Sequence, residues 1–153
     1  MKINLGSGQQ NLEGYVNIDN RKEVNPDLCC DIMEGIPIDD NSVDYVRAYD
    51  ILEHIPLGKT VKVIEEIYRV MKHGTIFESH TPDAQFGQAA FQDPFHQSFW
   101  VKNSWLYYSE DTFRVLYGIK AKFRIDEITR NPVELSSEND IVHLRVIAVA
   151  IKE

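Results

Sequence analysis

The chain has 153 residues, of which 43% are apolar, 26% charged and 10% aromatic, the balance of one folded domain that can bury a core without disulfide or metal staples. With 16 Lys and Arg against 24 Asp and Glu the net charge is −8, and no stretch forms a basic stripe, so nucleic acid is not an expected partner. No segment has the length of a membrane span or of a signal h-region, and the adjacent Cys29 and Cys30 point to opposite faces of a strand, so no membrane role, reduced thiols and a cytoplasmic location are expected.

In chain order, Ile3 and Leu5 open a short strand that stops at Gly6-Ser7-Gly8. Tyr15-Val16-Asn17-Ile18 makes a second run ending on Asp19, Leu28-Cys29-Cys30 a third ending on Asp31, and Val43 to Tyr49 a fourth ending on Asp50. From Lys59 to Lys72, Ile64, Ile67, Tyr68 and Met71 recur at helical spacing. Glu65 and Glu66 precede Arg69 on the wet side, and Gly74 follows as a C-terminal cap. Thr75 to His80 reads as a fifth strand closed by Thr81-Pro82, and strand, helix, strand is a parallel crossover. Later, Ile119, Ala121, Phe123 and Ile125 alternate with cations as in a strand with one wet face, and Ile141 to Ile151 is a longer apolar strand. Turn residues at Asn131-Pro132 and Ser136-Ser137 lie between them, which predicts an antiparallel hairpin. The fold expected is α/β, an open and mostly parallel sheet finishing in that hairpin, as a single domain over residues 1–153.

In such a sheet ligands bind beyond the carboxyl ends of the strands, where the strand order reverses. Gly6 and Gly8 allow a tight turn that presents backbone N–H groups to an anionic or zwitterionic ligand, or they simply make a turn. The full dinucleotide glycine pattern is missing, because Asn11 stands at the third glycine position. Asp19 is placed to accept from both hydroxyls of a ribose, or to start a turn with Asn20. Asp31 is placed to accept from the exocyclic amine of an adenine with Ile32 against the ring face, or again to make a turn.

The order of these elements resembles the class I S-adenosylmethionine-dependent methyltransferases, in particular their small single-domain, type 11-like branch. The resemblance runs over about residues 2 to 100. It rests on Leu5-Gly6-Ser7-Gly8, Asn17-Ile18-Asp19, Ile36 to Val46, Leu52-Glu53-His54-Ile55 and Glu66 to Gly74. It implies a Rossmann-like sheet with a seventh strand inserted antiparallel, and S-adenosylmethionine as cofactor with S-adenosylhomocysteine as product. It further implies that Gly6, Ser7 and Gly8 border the methionine part, that Asp19 holds the ribose and that Asp31 with Ile32 holds the adenine. Tyr49 is then expected beside the methionyl group and the substrate. The chain departs from the family in two places. Only Gln9 to Gly14 separate the glycine turn from the second strand, so the first crossover helix is reduced or missing and a sheet face near Ile3 is left open, for which a homodimer would provide cover. The family's Lys-Pro-Gly-Gly turn reads Lys72-His73-Gly74-Thr75, a different helix stop.

Residues 81 to 118 concentrate the aromatic side chains, from Phe86 and Phe91 to Trp100, Trp105 and Tyr117. With the first strand opening at residue 2, the lid over the pocket is expected from this segment or from a second subunit. Its rings would exclude water and face a sulfonium methyl, or pack the connection onto the sheet. Within it, Asp93-Pro94-Phe95-His96 resembles a similar segment of the same branch, with His96 as proton acceptor and Asp93 fixing its tautomer, or the pair bracing a loop. His80 is a second candidate base, and His54 a brace after the fourth strand. Asp83, His80, Asp93 and His96 match no compact metal motif, so no metal is expected. The function expected is methyl transfer to oxygen or nitrogen of a small acceptor such as a sugar or metabolite. The alternative is a cofactor-binding or assembly module of the same fold without catalysis. A nicotinamide dehydrogenase is not expected, since it requires the third glycine of the pattern and a substrate domain that this length does not accommodate.

Overall fold

The computed structural model describes residues 1–134 and 140–152, so the expected turn at Ser136-Ser137 lies outside the described residues. Seven strands form one sheet: β1 (Lys2–Leu5), β2 (Val16–Asp19), β3 (Leu28–Cys29), β4 (Val43–Tyr49), β5 (Met71–Pro82), β6 (Phe123–Glu134) and β7 (Asp140–Ala150). Their order is β3-β2-β1-β4-β5-β7-β6, and the pairs from β3 to β5 are parallel, while β7 runs antiparallel to both β5 and β6. The order reverses between β1 and β4, which opens a crevice at their carboxyl ends.

Alternation along the strands sends Ile3, Leu5, Ile18, Val46, Ala48, Phe77, Val146 and Ala148 to one face, and all are buried. The helix α1 (Thr60–Val70) lays Val63, Ile64, Ile67 and Val70 on that face. Ile64 and Ile67 are fully buried, and truncating either to alanine would cost ~2–5 kcal/mol. The short helices α2 (Ala89–Gln92), α3 (Leu106–Ser109) and α4 (Asp111–Tyr117) follow β5. Trp105, at the start of α3, packs its ring 5.8 Å from that of Phe77 on the same face.

Several boundaries differ from the sequence reading: β3 ends at Cys29, short of Cys30, and Asn131-Pro132, expected as turn residues, continue β6 and pair with His143 and Val142. The helix stops at Val70, because Met71 turns extended (ψ 146°) and pairs with Val43, so its side chain is buried by the sheet rather than by the helix. Gly74 (φ 77°) is therefore no helix cap; it lies where the β4–β5 register slips between Val43 and Tyr45. The strand expected from Ile119 begins only at Phe123, since the Arg114 guanidinium takes the carbonyl of Ala121 (2.8 Å) and that of Lys120 (3.4 Å), leaving them unavailable for a ladder. Ile119 and Ala121 still point inward and are buried.

The first crossover holds no helix. Asparagines do the work of its missing backbone bonds: Asn4 Nδ2 donates to the Gln10 carbonyl (3.0 Å), and Asn17 accepts from the Leu12 N–H (2.8 Å) while donating to the Leu12 carbonyl (3.1 Å). Ile3 is fully buried, so the sheet face left without a helix is not the one near Ile3 but the opposite one. It carries Asn4, Arg47, Glu78 and Arg145, linked by hydrogen bonds from Arg47 to Asn4 (2.8 Å) and from Arg145 to Glu78 (2.7 Å).

Candidate functional site

At the crevice between β1 and β4, Gly6, Ile18, Asp19, Asn20, Cys30, Asp31, Ile32, Met33, Ile51, His54 and Ile55 line a cleft of about 110 Å³. Four isoleucines make its walls and two carboxylates stand at its edge. Gly6 bends the chain at φ 63°, and a Cβ there would fall 2.7 Å from the Ile51 side chain, so the two residues close one wall by direct contact. Asp19 and Asp31 reach the same cleft because Asp19 ends β2 and Asp31 follows the end of the neighbouring parallel β3 by two residues, on the same rim of the sheet. Sites for small ligands typically enclose about 300 Å³ or more, and this cleft is smaller than that.

Both aspartates also make the turns that were the alternative reading. Asp19 Oδ1 accepts from the Arg21 N–H (3.0 Å), and Asp31 Oδ1 accepts from the Met33 N–H (2.9 Å). Asp19 Oδ2 takes the Gly8 N–H at 2.8 Å, so that N–H is committed within the chain and does not face a ligand. Burial pushes the Asp19 carboxyl up, but hydrogen bonds from the Arg21 and Gly8 backbone and the Arg21 side chain outweigh it and hold the group below the usual carboxylate range. Asp19 is thus ionised at neutral pH and fixed in direction. Neither Ser7 nor Gly8 lines the cleft; Ser7 is buried and its hydroxyl has no hydrogen-bond partner.

Tyr49 lies outside this cleft, on the polar face, where its hydroxyl and that of Tyr45 both donate to Glu78. Arg47 covers its ring at 3.7 Å and the His80 imidazole stacks on it at 5.0 Å. Burial and then the hydrogen bond to Glu78 raise the Tyr49 phenol, so it stays protonated.

The expected base candidates fall into separate groups. His96 packs edge-on against His54 (4.9 Å), which lines the cleft, whereas His80 sits among Tyr49, Asp50 and His143. Asp83 pairs with Arg130 at 2.6 Å, so the four residues weighed as metal ligands do not converge. The Ala90 carbonyl, 2.9 Å from Nδ1, fixes the His96 tautomer, which corrects the role expected of Asp93. The Asp93 carboxylate lies 3.6 Å from Nε2 and its other oxygen caps the Phe95 N–H (2.8 Å). Nε2 is left as the basic nitrogen, with a carboxylate ready to stabilise the imidazolium.

The aromatic segment divides. Trp100, Trp105 and Tyr108 belong to the core, while Phe99, Tyr107 and Tyr117 are exposed and join Leu57 and Val61 around an apolar hollow of about 330 Å³. The hollow meets the loop after β4 through Ser98, whose hydroxyl donates to the Leu52 carbonyl at 2.8 Å. Beside it, Glu53 is only 3% exposed with Oε2 unpartnered, and burial pushes its carboxyl up to about 8. Sequence reading did not single out Ile51, Glu53 or His143 as site residues; the signal available for the first two was their position directly after the strand-ending Asp50.

Residues 12–78 match the family model described as Methyltransferase domain. The fold is that of solved S-adenosylmethionine-dependent methyltransferases. Among solved structures of this fold, a SAM-dependent methyltransferase of Methanosarcina mazei superposes with a TM-score of 0.69 at 16% identity, covering 99% of this chain and 92% of that one. A chain from the complex between the Haloferax volcanii Trm112 methyltransferase activator and a methyltransferase gives 0.69 at 16%, covering 99% and 82%. The 1,6-didemethyltoxoflavin-N1-methyltransferase of Burkholderia thailandensis, crystallised with 1,6-didemethyltoxoflavin and S-adenosylhomocysteine, gives 0.65 at 10%, covering 99% and 71%. No curated protein sequence matches this methyltransferase-fold chain. Among its described residues, no helix is long and apolar enough to cross a membrane.

Proposed function

We propose that this chain binds S-adenosylmethionine in the cleft between β1 and β4 and directs its methyl group to oxygen or nitrogen of a small acceptor such as a sugar or metabolite. The observation that carries the reading is the convergence of Asp19 and Asp31 on one cleft walled by Ile18, Ile32, Ile51 and Ile55. Apolar walls suit the faces of an adenine, and ionised Asp19 suits a pair of ribose hydroxyls. When bound, the cofactor supplies a sulfonium methyl to in-line attack by the acceptor and leaves as S-adenosylhomocysteine.

The chain's own part is binding, orientation and proton removal. Holding two reactants at attack distance is worth roughly 7–11 kcal/mol. The apolar hollow under Phe99, Tyr107 and Tyr117 offers the acceptor a dry seat. His96 Nε2 takes the proton that the acceptor loses, and Asp93 stabilises the imidazolium. A second reading, a cofactor-binding or assembly module without catalysis, draws on the small cleft and the missing first helix.

Calorimetric titration of S-adenosylmethionine and S-adenosylhomocysteine into wild type and Asp19→Ala tests the cofactor. The substitution is expected to weaken binding by ~2 kcal/mol, the worth of hydrogen bonds to a charged group. A folded wild type that binds neither ligand would refute the proposal. Binding without methyl transfer over a broad panel of oxygen and nitrogen acceptors would favour the second reading.

A further inference from the structure

Three strand ends bring a second group of polar side chains together. Asp50 follows β4, His80 ends the part of β5 that pairs with β4, opposite Tyr49, and His143 lies near the start of antiparallel β7. His80 Nδ1 lies 3.7 Å and His143 Nε2 3.6 Å from the same Asp50 oxygen, Oδ1, and one donor atom from each of the three residues lies within 4.8 Å of the others. These separations exceed hydrogen bonds, so the carboxylate and the two imidazoles surround a point without closing on each other.

We propose that Asp50, His80 and His143 bind a first-row divalent cation, of the class of Zn²⁺, Fe²⁺ or Co²⁺. Two imidazoles and one carboxylate are a donor set for borderline ions rather than for Mg²⁺ or Ca²⁺, which prefer oxygen. The backbone supports the assignment. Asp50 stands at φ 52°, in the left-handed region, and its N–H donates to the His80 carbonyl at 2.9 Å, which turns its carboxylate toward the two rings. The His rings are stacked, with centroids 4.5 Å apart and 9° between planes. Parallel rings cannot both hold an ion in plane, so one must rotate about its Cβ–Cγ bond as the ion enters. The buried Nδ1 of His143 has no hydrogen-bond partner, so nothing there locks that ring against rotation.

Sequence spacing hides this site, because its members come from three strand ends separated by long stretches of chain. The Asp50 side chain is 58% exposed and the two imidazoles are 19% and 18% exposed, which gives an ion a path in from solvent. Three protein ligands leave coordination positions open to water or to an acceptor oxygen. The ion is held by the chain alone, so the site stands independently of the methyl-transfer reading.

The test is titration of chelator-treated protein with Co²⁺, without cofactor or acceptor, followed by visible d–d absorption and by thermal unfolding. Wild type is expected to saturate at one equivalent and to melt at higher temperature with the metal. Asp50→Asn and His143→Gln should lose both signals, whereas His54→Ala, which removes a ligand of the neighbouring Glu53, His54 and His96 group, should keep them. Should either of the first two variants fail to fold by circular dichroism, His80→Gln takes its place. The proposal is overturned if wild type takes up no metal, if the folded triad variants still bind it, or if His54→Ala abolishes binding.

Discussion

Replacing Glu53 with glutamine should stabilise the protein at neutral pH and change little at pH 4. Glu53 is 3% exposed in the tight turn Leu52–His54, and its Oε2 has no hydrogen-bond partner. Burial is the main cause that lifts its carboxyl from 4.5 to about 8, with the charges of Asp50 and Asp93 adding to it and a hydrogen bond to its own backbone opposing. Between those values the unfolded chain has released a proton that the folded chain keeps. Wild-type stability therefore falls as pH rises, by up to ~1.4 kcal/mol per pH unit. By about pH 7 the loss reaches roughly 3 kcal/mol, and near pH 8 it approaches its limit of roughly 5 kcal/mol. Glutamine has the same shape and no charge, so the variant lacks this slope. Urea denaturation of both proteins across this pH range isolates the effect, because every other titrating group cancels in the difference. A difference that stays flat from acid to mildly alkaline pH would refute the reasoning and mean that the carboxylate is solvated.

Gly6→Ala should cost about 1–3 kcal/mol through overpacking against Ile51, and adding Ile51→Ala should return the part due to the clash; unaltered stability on denaturation would show that the turn is not closed by that contact. Glu78→Ala should cost about 3–5 kcal/mol, since it strands Arg145 and two tyrosine hydroxyls. Burial raises the Glu78 carboxyl, but bonds from Tyr45, Tyr49 and Arg145 outweigh it and hold it low. Its contribution is thus present at neutral pH and lost as pH falls through its lowered value, so the gap to wild type should narrow in acid; a gap that widens there would reverse the assignment. His96→Gln should cut turnover by about 10²–10⁴-fold, while calorimetry finds S-adenosylhomocysteine binding unchanged. Undiminished turnover would remove His96 from the role of base.

Local features of the chain were read correctly where a local cause acts. Asp19 and Asp31 were legible because an acid that closes an apolar run falls at or just past a strand end, and parallel strands place their ends on one rim. The lost first helix was legible from the short stretch Gln9 to Gly14. Met71 was misread because two local preferences compete there, and pairing with Val43, distant in sequence, decides for the strand. Gly74 changed role with it. Arg114 shortens β6 by the same kind of remote contact, its guanidinium taking carbonyls that the alternation of Ile119, Ala121 and Phe123 assigns to a ladder.

The amino-acid sequence by itself determined the class of fold and the number of strands, because periodicity and turn residues act over a few neighbours; that Asp19 and Asp31 line the cleft while Asp50, which also closes an apolar run, does not was decided by the packing. The three-dimensional packing decided what those residues do for one another. Ala90, rather than Asp93, orients His96, Glu78 gathers Tyr45, Tyr49 and Arg145, and His143 joins His80 and Asp50. Each of these contacts depends on strand order and on the register of β7 against β5, set by burying one whole face of the sheet at once.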